Sequence, residues 1–322
     1  HAIGEVLTAF RNAAEVRGKP VMIIARTLKG KGIPVAENRN GWHGKPITGP
    51  ALQEALATLQ PAEPMTAPIP PPEKAAPAEP TADSVSEILY DRAAEVATRR
   101  AYGNALVRLS KAYPRMVVLD AEVGNSTYAE LFGREQPDRF FEMFVAEQNM
   151  VGAAQGLDSR GKVPFVSTFA AFLTRSFDQI RMAQYSDANI KFCGSHAGVS
   201  IGEDGPSQMG LEDIAMFRSL YNSVVLYPSD AVSTEKLVEA ALGHFGIVYL
   251  RTTRSATPIL YDASQSFPVG GCKVLRSDKR DCATIVAAGI TVHEALEAAR
   301  QLAEEDVYVR VIDLYCVKPL DR

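Results

Sequence analysis

The 322 residues include one tryptophan, five histidines and four cysteines. The cysteines, Cys193, Cys272, Cys282 and Cys316, form no CxxC pair, and no histidine stands near them at the spacing of metal ligands. Neither a zinc site nor a disulfide framework is expected, and buried free thiols in a reducing, cytoplasmic compartment are the simplest reading. A basic excess is also lacking. The formal net charge is −4, which offers no electrostatic footprint for nucleic acid or an anionic membrane. No apolar run approaches the ~20 residues of a membrane-spanning helix, and the start HAIGEVLTAF shows neither the charged leader nor the cleavage site of a secretion signal. What remains as partners are small molecules and other protein chains.

With 46% hydrophobic and 22% charged residues, the chain has the composition of an ordinary globular protein, long enough for about two domains. Apolar spacing at Ile3, Val6, Leu7, Phe10 and Ala14 predicts a helix over 3–17, and PVMIIAR at 20–26 reads as a short buried strand of a parallel sheet. A glycine-rich loop, LKGKGIPVAENRNGWHGKP, follows. Residues 61–80 hold eight prolines in twenty positions, so this stretch is expected to be an extended linker between domains.

Beyond it, helix patterns alternate with short apolar strands. Strands are expected at 116–120, 140–144, 163–167, 189–193, 223–227 and 247–251. Helices are expected near 92–112, from 147, over 169–185, near 211–219 and over 231–243. That alternation predicts an α/β fold with parallel sheets covered by helices on both faces, in a multi-domain chain. A further unit near 267 shows strands at 283–289 and 307–313 around a helix at 291–304. One strand, helix and strand cannot close a core of this type, so that last domain is expected to be incomplete.

In parallel sheets, ligand sites collect at the carboxyl ends of the strands. Glu147 stands at such an end, at the start of a helix, where a carboxylate can also simply complement the helix dipole. The segment GSHAGVSIGEDGPSQMG, 194–210, is a long loop between strand and helix, either a binding loop or a solvated connection. Phe169 and Phe172 stand three apart at an expected helix start, which suits core packing as well as a ring-binding wall. Arg99, Arg175 and Arg254, taken singly, suit surface charges.

Taken together, ATRRAYG, GNSTY, VAEQNMVGAAQG, STFAAFLTRSFDQIRMA, GSHAGVSIGEDGPSQM, LYPSD and RTTR resemble the transketolase family in order and spacing. ARTLKGKGIP followed by WHGKP is similar to the end of that family's first domain, and the likeness is closest to the animal-type branch. The resemblance implies a thiamine diphosphate-binding fold and the transfer of a two-carbon ketol unit from a ketose phosphate, such as xylulose 5-phosphate, to an aldose phosphate, such as ribose 5-phosphate. It implies Mg2+ or Ca2+ as the metal, and a homodimer whose active site forms between subunits.

By the same resemblance, Glu147 would hydrogen-bond a ring nitrogen of the cofactor's aminopyrimidine, packed against Phe144 and Val145. Phe169 and Phe172 would line the pyrimidine pocket with Arg175 at its rim. Arg99, Ser126, His196 and Arg254 would bind the substrate phosphate, and Asp204 a substrate hydroxyl. His43 would lie near the reacting carbon as a catalytic and substrate-binding group. Lys29, Glu122 and Gln208 would face the cofactor, Glu122 replacing a usual aspartate and Gln208 a histidine of some branches.

The family's GDG signature for metal and diphosphate does not occur, and His1 aligns downstream of it. Residues 1–60 are therefore expected to be the tail of a diphosphate-binding domain, 61–84 the linker, 85–258 the pyrimidine-binding domain, and 259–322 the first part of a carboxyl-terminal domain. The metal ligands are expected outside this chain. The alternatives are a catalytically silent transketolase-like subunit or fragment and an enzyme of the deoxyxylulose phosphate synthase type.

Overall fold

A computed structural model describes residues 1–59 and 85–321. The expected linker at 61–84 lies outside the described residues. The chain divides into two units, His1–Glu73 and Lys74–Arg322.

The first unit carries helices α1 (Ile3–Glu15) and α2 (Pro50–Thr58) joined by a turn-rich segment. Glu37 organises the glycine-rich turn, accepting from the Gly32 amide at 2.8 Å and from Lys31 Nζ at 3.1 Å. The strand expected at 20–26 does not form. Met22 and Ile24 are exposed, and the first unit has no strand among its described residues. A buried strand needs sheet neighbours for its amides and carbonyls, and apolar composition cannot supply them.

The second unit contains strands β1 (Glu95–Ala97), β2 (Met116–Asp120), β3 (Phe140–Glu142), β4 (Val163–Phe169), β5 (Lys191–Ser195), β6 (Val224–Leu226) and β7 (Val248–Arg251). These are followed by β8 (Ala256–Pro258), β9 (Lys273–Arg276), β10 (Ala283–Ala287), β11 (Val309–Asp313) and β12 (Cys316–Lys318). Its helices are α3 (Thr98–Leu109), α4 (Gly124–Thr127), α5 (Glu130–Glu135), α6 (Glu147–Asp158), α7 (Phe177–Tyr185), α8 (Asp213–Ser219), α9 (Ala231–Leu242) and α10 (Thr291–Glu304). The main sheet runs in the order β12-β6-β7-β5-β4-β2-β3. All its pairs are parallel except β12 with β6.

The two-residue period of a strand divides the core in two. Met116 and Val118 of β2 face a cluster with Leu106 of α3, Phe132 of α5 and Leu237 of α9. Val117 and Leu119 face the other way, onto Met150 of α6, Ile180 of α7 and Phe217 of α8. Helices therefore cover both faces, and the strands are apolar on both sides, as the run MVVLD suggested. The last three-stranded sheet, β10-β11-β9, is covered by α10 through a small cluster of Ala295, Ala299, Val309 and Val311.

Several elements depart from the sequence reading. The helix expected from 92 begins at Thr98, because residues 95–97 commit their backbone to β1, paired antiparallel with β8. Phe169 ends β4 instead of starting a helix, since pairing with β5 continues to Phe169 opposite Ser195. A 3-10 turn, Phe172–Ser176, then precedes α7. Among the cysteines, Cys193 and Cys316 are buried, but Cys272 is half-buried and Cys282 exposed. Cys282 lies just before β10, an edge strand. The edge strand β12 was not anticipated, its partner being far away in sequence.

Asp230 at the start of α9 ties these parts together. Its Oδ1 accepts from the Ser233 amide at 2.7 Å, and its Oδ2 from the Leu260 and Tyr261 amides at 2.9 and 3.1 Å. The carboxylate is fully buried. Asp230→Ala removes a helix cap and leaves two further amides without an acceptor. Summing about 1 kcal/mol for the cap with about 1 kcal/mol or more for each orphaned amide, urea unfolding should show a loss of about 3 kcal/mol.

Candidate functional site

The parallel register aligns the strands' carboxyl ends: Asp120 lies opposite Ser167, Ser167 opposite Cys193, and Gly194 opposite Arg251. The segments leaving those ends, residues 121–127, 143–147, 170–176, 196–210 and 252–254, rise from one edge of the sheet. Every site residue expected in the second unit falls on these segments, apart from Phe169 on the last residue of β4 and Arg99 on the first turn of α3.

Glu147 opens α6 and is buried, although its neighbours Phe144 and Val145 are 66% and 68% exposed. Those two side chains therefore give Glu147 little apolar cover. The reason is the turn after β3. Glu142 accepts from the Glu122 and Phe144 amides at 3.0 and 2.9 Å, and Phe144 adopts a φ of 54°, which turns its ring outward. The Glu147 carboxylate instead meets Arg175, with Oε1 2.5 Å from Nη1. Both open onto a surface pocket of about 590 Å3, lined also by Val145, Ala146, Gln148 and Asn149.

From Arg175 a column of planar groups runs inward. The guanidinium lies 4.5 Å from the centre of the Phe172 ring. Phe172 stacks on Phe169 at 5.2 Å and 14°, and Phe169 stacks on His196 at 4.0 Å and 18°. Such stacking fixes ring planes as well as burying area. The outer faces of the phenylalanine pair are thus covered by a cation at one end and an imidazole at the other.

At the inner end a cationic cluster gathers around His196. Arg99 donates to the Ser126 carbonyl at 2.8 Å and the Arg254 carbonyl at 3.2 Å, which brings α3, α4 and the segment after β7 together. Arg254 donates to Glu203 Oε1 at 2.6 Å and to the Ile201 carbonyl, and Asp204 Oδ2 is 3.6 Å from its Nη1. His196 Nδ1 lies 3.0 Å from Ser195 Oγ. Burial first, then the positive charges of Arg99 and Arg254, push the His196 pKa down to about 4 against the pull of Asp204. Desolvation and the neighbouring Arg254 likewise lower the Arg99 pKa. A neutral imidazole between two guanidiniums is suited to an anion carrying more than one charge.

The structure brings together Arg99, Ser126, His196, Asp204 and Arg254, and joins them through the ring column to Phe169, Phe172, Arg175 and Glu147. Gln208 ends a 3-10 turn, Pro206–Gln208, in the 194–210 loop and is half-buried. Glu122 is exposed with a φ of 61°. Lys29 and His43 belong to the first unit, where both are exposed; the Lys29 carbonyl accepts from the Asn38 amide at 2.9 Å.

Sequence reasoning missed several residues that shape this edge. Asp120 is buried at the end of β2, where it accepts from the Val123 amide and the Thr127 hydroxyl, both at 2.7 Å, and so holds the 121–127 segment. Burial raises its pKa to about 7, opposed by those two bonds. Arg251 and Asp213 form a buried pair, Nε to Oδ2 at 2.7 Å, which Tyr249 joins at 2.6 Å. The signal for Asp120 was an acid ending an apolar strand, and for Arg251 the first arginine of RTTR.

Compared with known proteins, residues 94–259 match the family model described as the transketolase pyrimidine binding domain, and residues 270–322 that of the transketolase C-terminal domain. Human transketolase is 47% identical, over all of this chain and 52% of its own length. Mouse transketolase-like protein 2 is 46% identical at the same coverage. The chain spans about half the length of these relatives. Among solved structures, an inactive beta4 tetramer of a split gene transketolase aligns with a TM-score of 0.64 and 42% identity, over 71% of this chain and 74% of that one. Transketolase from Leishmania mexicana aligns with a TM-score of 0.63 and 26% identity, over 71% and 36%.

The depressed His196 pKa gives a direct check. A carbon-detected titration should find the imidazole neutral down to about pH 5. Arg99→Ala should move its midpoint upward, since one of the two like charges opposing protonation is then removed. A midpoint near 6.5 in the parent chain, unmoved by the substitution, would contradict this electrostatic account.

Proposed function

The chain belongs to the transketolase family, and from that membership we propose that it supplies the pyrimidine-side half of a transketolase active site, which transfers a two-carbon ketol unit between sugar phosphates. The observation that carries this reading is the unbroken column from Glu147 and Arg175 through Phe172 and Phe169 to His196. It sets a buried carboxylate at one end of a site and a two-arginine cluster at the other. That arrangement suits a substrate whose reacting carbonyl and phosphate lie several atoms apart.

The residues present fit one end of thiamine diphosphate. Phe169 and Phe172 offer apolar area for a pyrimidine, and Glu147 offers a carboxyl group at the strand end for a ring nitrogen. When bound, the cofactor supplies the electron sink that lets the bond beside a ketose carbonyl break and re-form. Glu147 orients the ring and holds a proton at that nitrogen. Arg175 pairs with the Glu147 carboxylate and would hold it in place at the rim of the pocket. The apolar column keeps water from the reacting groups. Among the described residues no group of three or more His, Cys, Asp or Glu is arranged to hold a metal ion. The diphosphate and its Mg2+ or Ca2+ are assigned to ligands other than these, with the site completed across a subunit interface. Lys29, His43, Glu122 and Gln208 take cofactor-side and substrate-side places in that completed site.

Arg99, His196 and Arg254 hold the substrate phosphate. The Ser126 hydroxyl joins them there, and Asp204 reads a hydroxyl of the sugar. No helix among the described residues is long and apolar enough to cross a membrane, and sugar phosphates in the cytoplasm are the substrates this reading takes.

Glu147→Gln in the complete enzyme should lower turnover of xylulose 5-phosphate with ribose 5-phosphate by at least ~100-fold while the cofactor still binds, the scale of a lost acid-base contribution. Turnover near that of the parent enzyme would remove Glu147 from the mechanism. Arg99→Ala should raise KM for phosphorylated substrates roughly 10- to 100-fold, the equivalent of about 1.5–3 kcal/mol for a charged hydrogen bond, with much less effect on unphosphorylated ones. Equal weakening of both classes would refute the phosphate assignment.

A second reading has its own support. The 42%-identical neighbour is an inactive beta4 tetramer, and in this reading the chain too is a catalytically silent transketolase-like subunit that only pairs with other subunits. Turnover of xylulose 5-phosphate with ribose 5-phosphate, measured after the chain is combined with a subunit that bears the diphosphate site, distinguishes the two. Turnover in the combined sample supports the active half-site, and its absence despite complex formation supports the silent subunit.

A further inference from the structure

Arg254 does not present a free guanidinium to the site. One of its nitrogens donates to Glu203 Oε1 at 2.6 Å, while the other donates to the Ile201 carbonyl and approaches Asp204 Oδ2 at 3.6 Å. The two acids that follow Gly202 stand differently. The Asp204 side chain is 31% exposed and reaches inward beside His196, whose titration it influences. The Glu203 side chain is 80% exposed and reaches Arg254 from the solvent side.

The local backbone makes this contact possible. Glu203 sits in the 3-10 turn Gly202–Asp204, between Gly202 at a φ of 73° and Gly205 at a φ of 77°. A Cβ at Gly202 would stand 2.9 Å from Arg254 Nη1, and the positive φ favours glycine there, so the guanidinium lies against the turn while the next side chain folds over it. The Arg254 contact draws the Glu203 carboxyl below the usual carboxylate range, so the acid is charged at neutral pH.

We propose that Glu203 is an internal counter-ion of the phosphate subsite: its carboxylate occupies the anion position on Arg254, the substrate's phosphate displaces it into solvent, and this competition sets the affinity of the site. The proposal rests on the phosphate reading given above. Its physical basis is the asymmetry between the two anions. An exposed carboxylate paired with one arginine is weakly held, because water screens the pair and solvates the released acid equally well. A phosphate dianion drawn to Arg254 carries a second charge into the field of Arg99, whose side chain donates to the Arg254 carbonyl, beside a neutral imidazole, and so gains more than the carboxylate loses. Monoanions such as carboxylates and chloride gain little over Glu203. The built-in acid therefore discriminates by charge, rejecting weak anions at a modest cost in affinity for the right one.

The test is a calorimetric titration of the chain with inorganic phosphate at fixed ionic strength, in the parent and in Glu203→Gln, Glu203→Ala and Arg254→Ala. Removal of an exposed competing charge should tighten phosphate binding about three- to fivefold in both Glu203 variants, the scale of a surface ion pair. Arg254→Ala should weaken it at least about tenfold, the scale of a lost charged hydrogen bond. Unchanged or weaker binding in both Glu203 variants, or no measurable binding in either, would overturn the counter-ion role. If Arg254→Ala bound phosphate as well as the parent, the phosphate reading itself would fall, whatever the Glu203 variants did.

Discussion

The site edge hangs on the ion pair between Arg251, the last residue of β7, and Asp213, the first of α8. The two side chains are 8% and 0% exposed. The guanidinium uses Nε and Nη2 on the two carboxylate oxygens, at 2.7 and 3.3 Å, and its Nη2 also binds the Gly210 carbonyl at 2.9 Å. Gly210 ends the long glycine-rich loop, and its carbonyl also accepts from the Gly198 amide at 2.9 Å. The loop's two ends are thereby closed against each other and fastened to the sheet. Taking either charge away alone would strand the other in the core, a loss of roughly 3–5 kcal/mol. This pair leaves the residues between its anchor points, Val199 to Met209, as a loop with a fixed base.

A fixed base explains how a loop with so little regular structure can carry so many functional groups. His196 leaves β5 at a φ of 54°, which lays its ring on Phe169 one strand away. Three residues past Arg251, Arg254 reaches back over the same loop to Ile201 and Glu203. The loop is therefore held at its base by a buried pair and at its tip by an exposed one. The two differ in strength for a physical reason. Desolvation makes the buried pair costly to separate, while water makes the exposed one easy to exchange. Rigidity at the base and exchangeability at the tip are what an anion site in a loop requires.

Much of the fold was legible in the sequence. The alternation of apolar runs with amphipathic stretches gave the parallel sheet and its covering helices, because strands buried on both faces carry no polar alternation to confuse them with surface strands. Position at a strand's carboxyl end singled out Glu147, and the motif likeness brought forward Arg99, His196, Asp204 and Arg254, all of which converge on one edge. What escaped were features whose cause lies far away along the chain. β12 exists because β6 offers an open edge ninety residues earlier. PVMIIAR fails as a strand because apolar residues do not by themselves supply a neighbour to pair with. Phe169 belongs to β4 because Ser195 stands opposite it. The pairings of Arg251 with Asp213 and of Arg254 with Glu203 span 38 and 51 residues, and no local pattern announces either.

The ring column gives the two ends of the site a physical connection that neither end has alone. Glu147 lies on α6 and the arginine cluster on α3 and the segment after β7, and a displacement of either would ordinarily be absorbed by flexible side chains. Here Phe172, Phe169 and His196 are planar groups packed face to face, with Arg175 capping the outer ring, so tilting one plane costs contact area with the next. The carboxylate at the outer end and the imidazole at the inner end are thus held at a fixed separation by groups with few internal degrees of freedom. In the proposed reading, fixed separation selects substrates by length, since a phosphate seated at Arg99 and Arg254 would place the far end of its chain at a set distance along the column. Charge at the inner end and spacing along the rings together restrict the site to a narrower class of molecule than either constraint would.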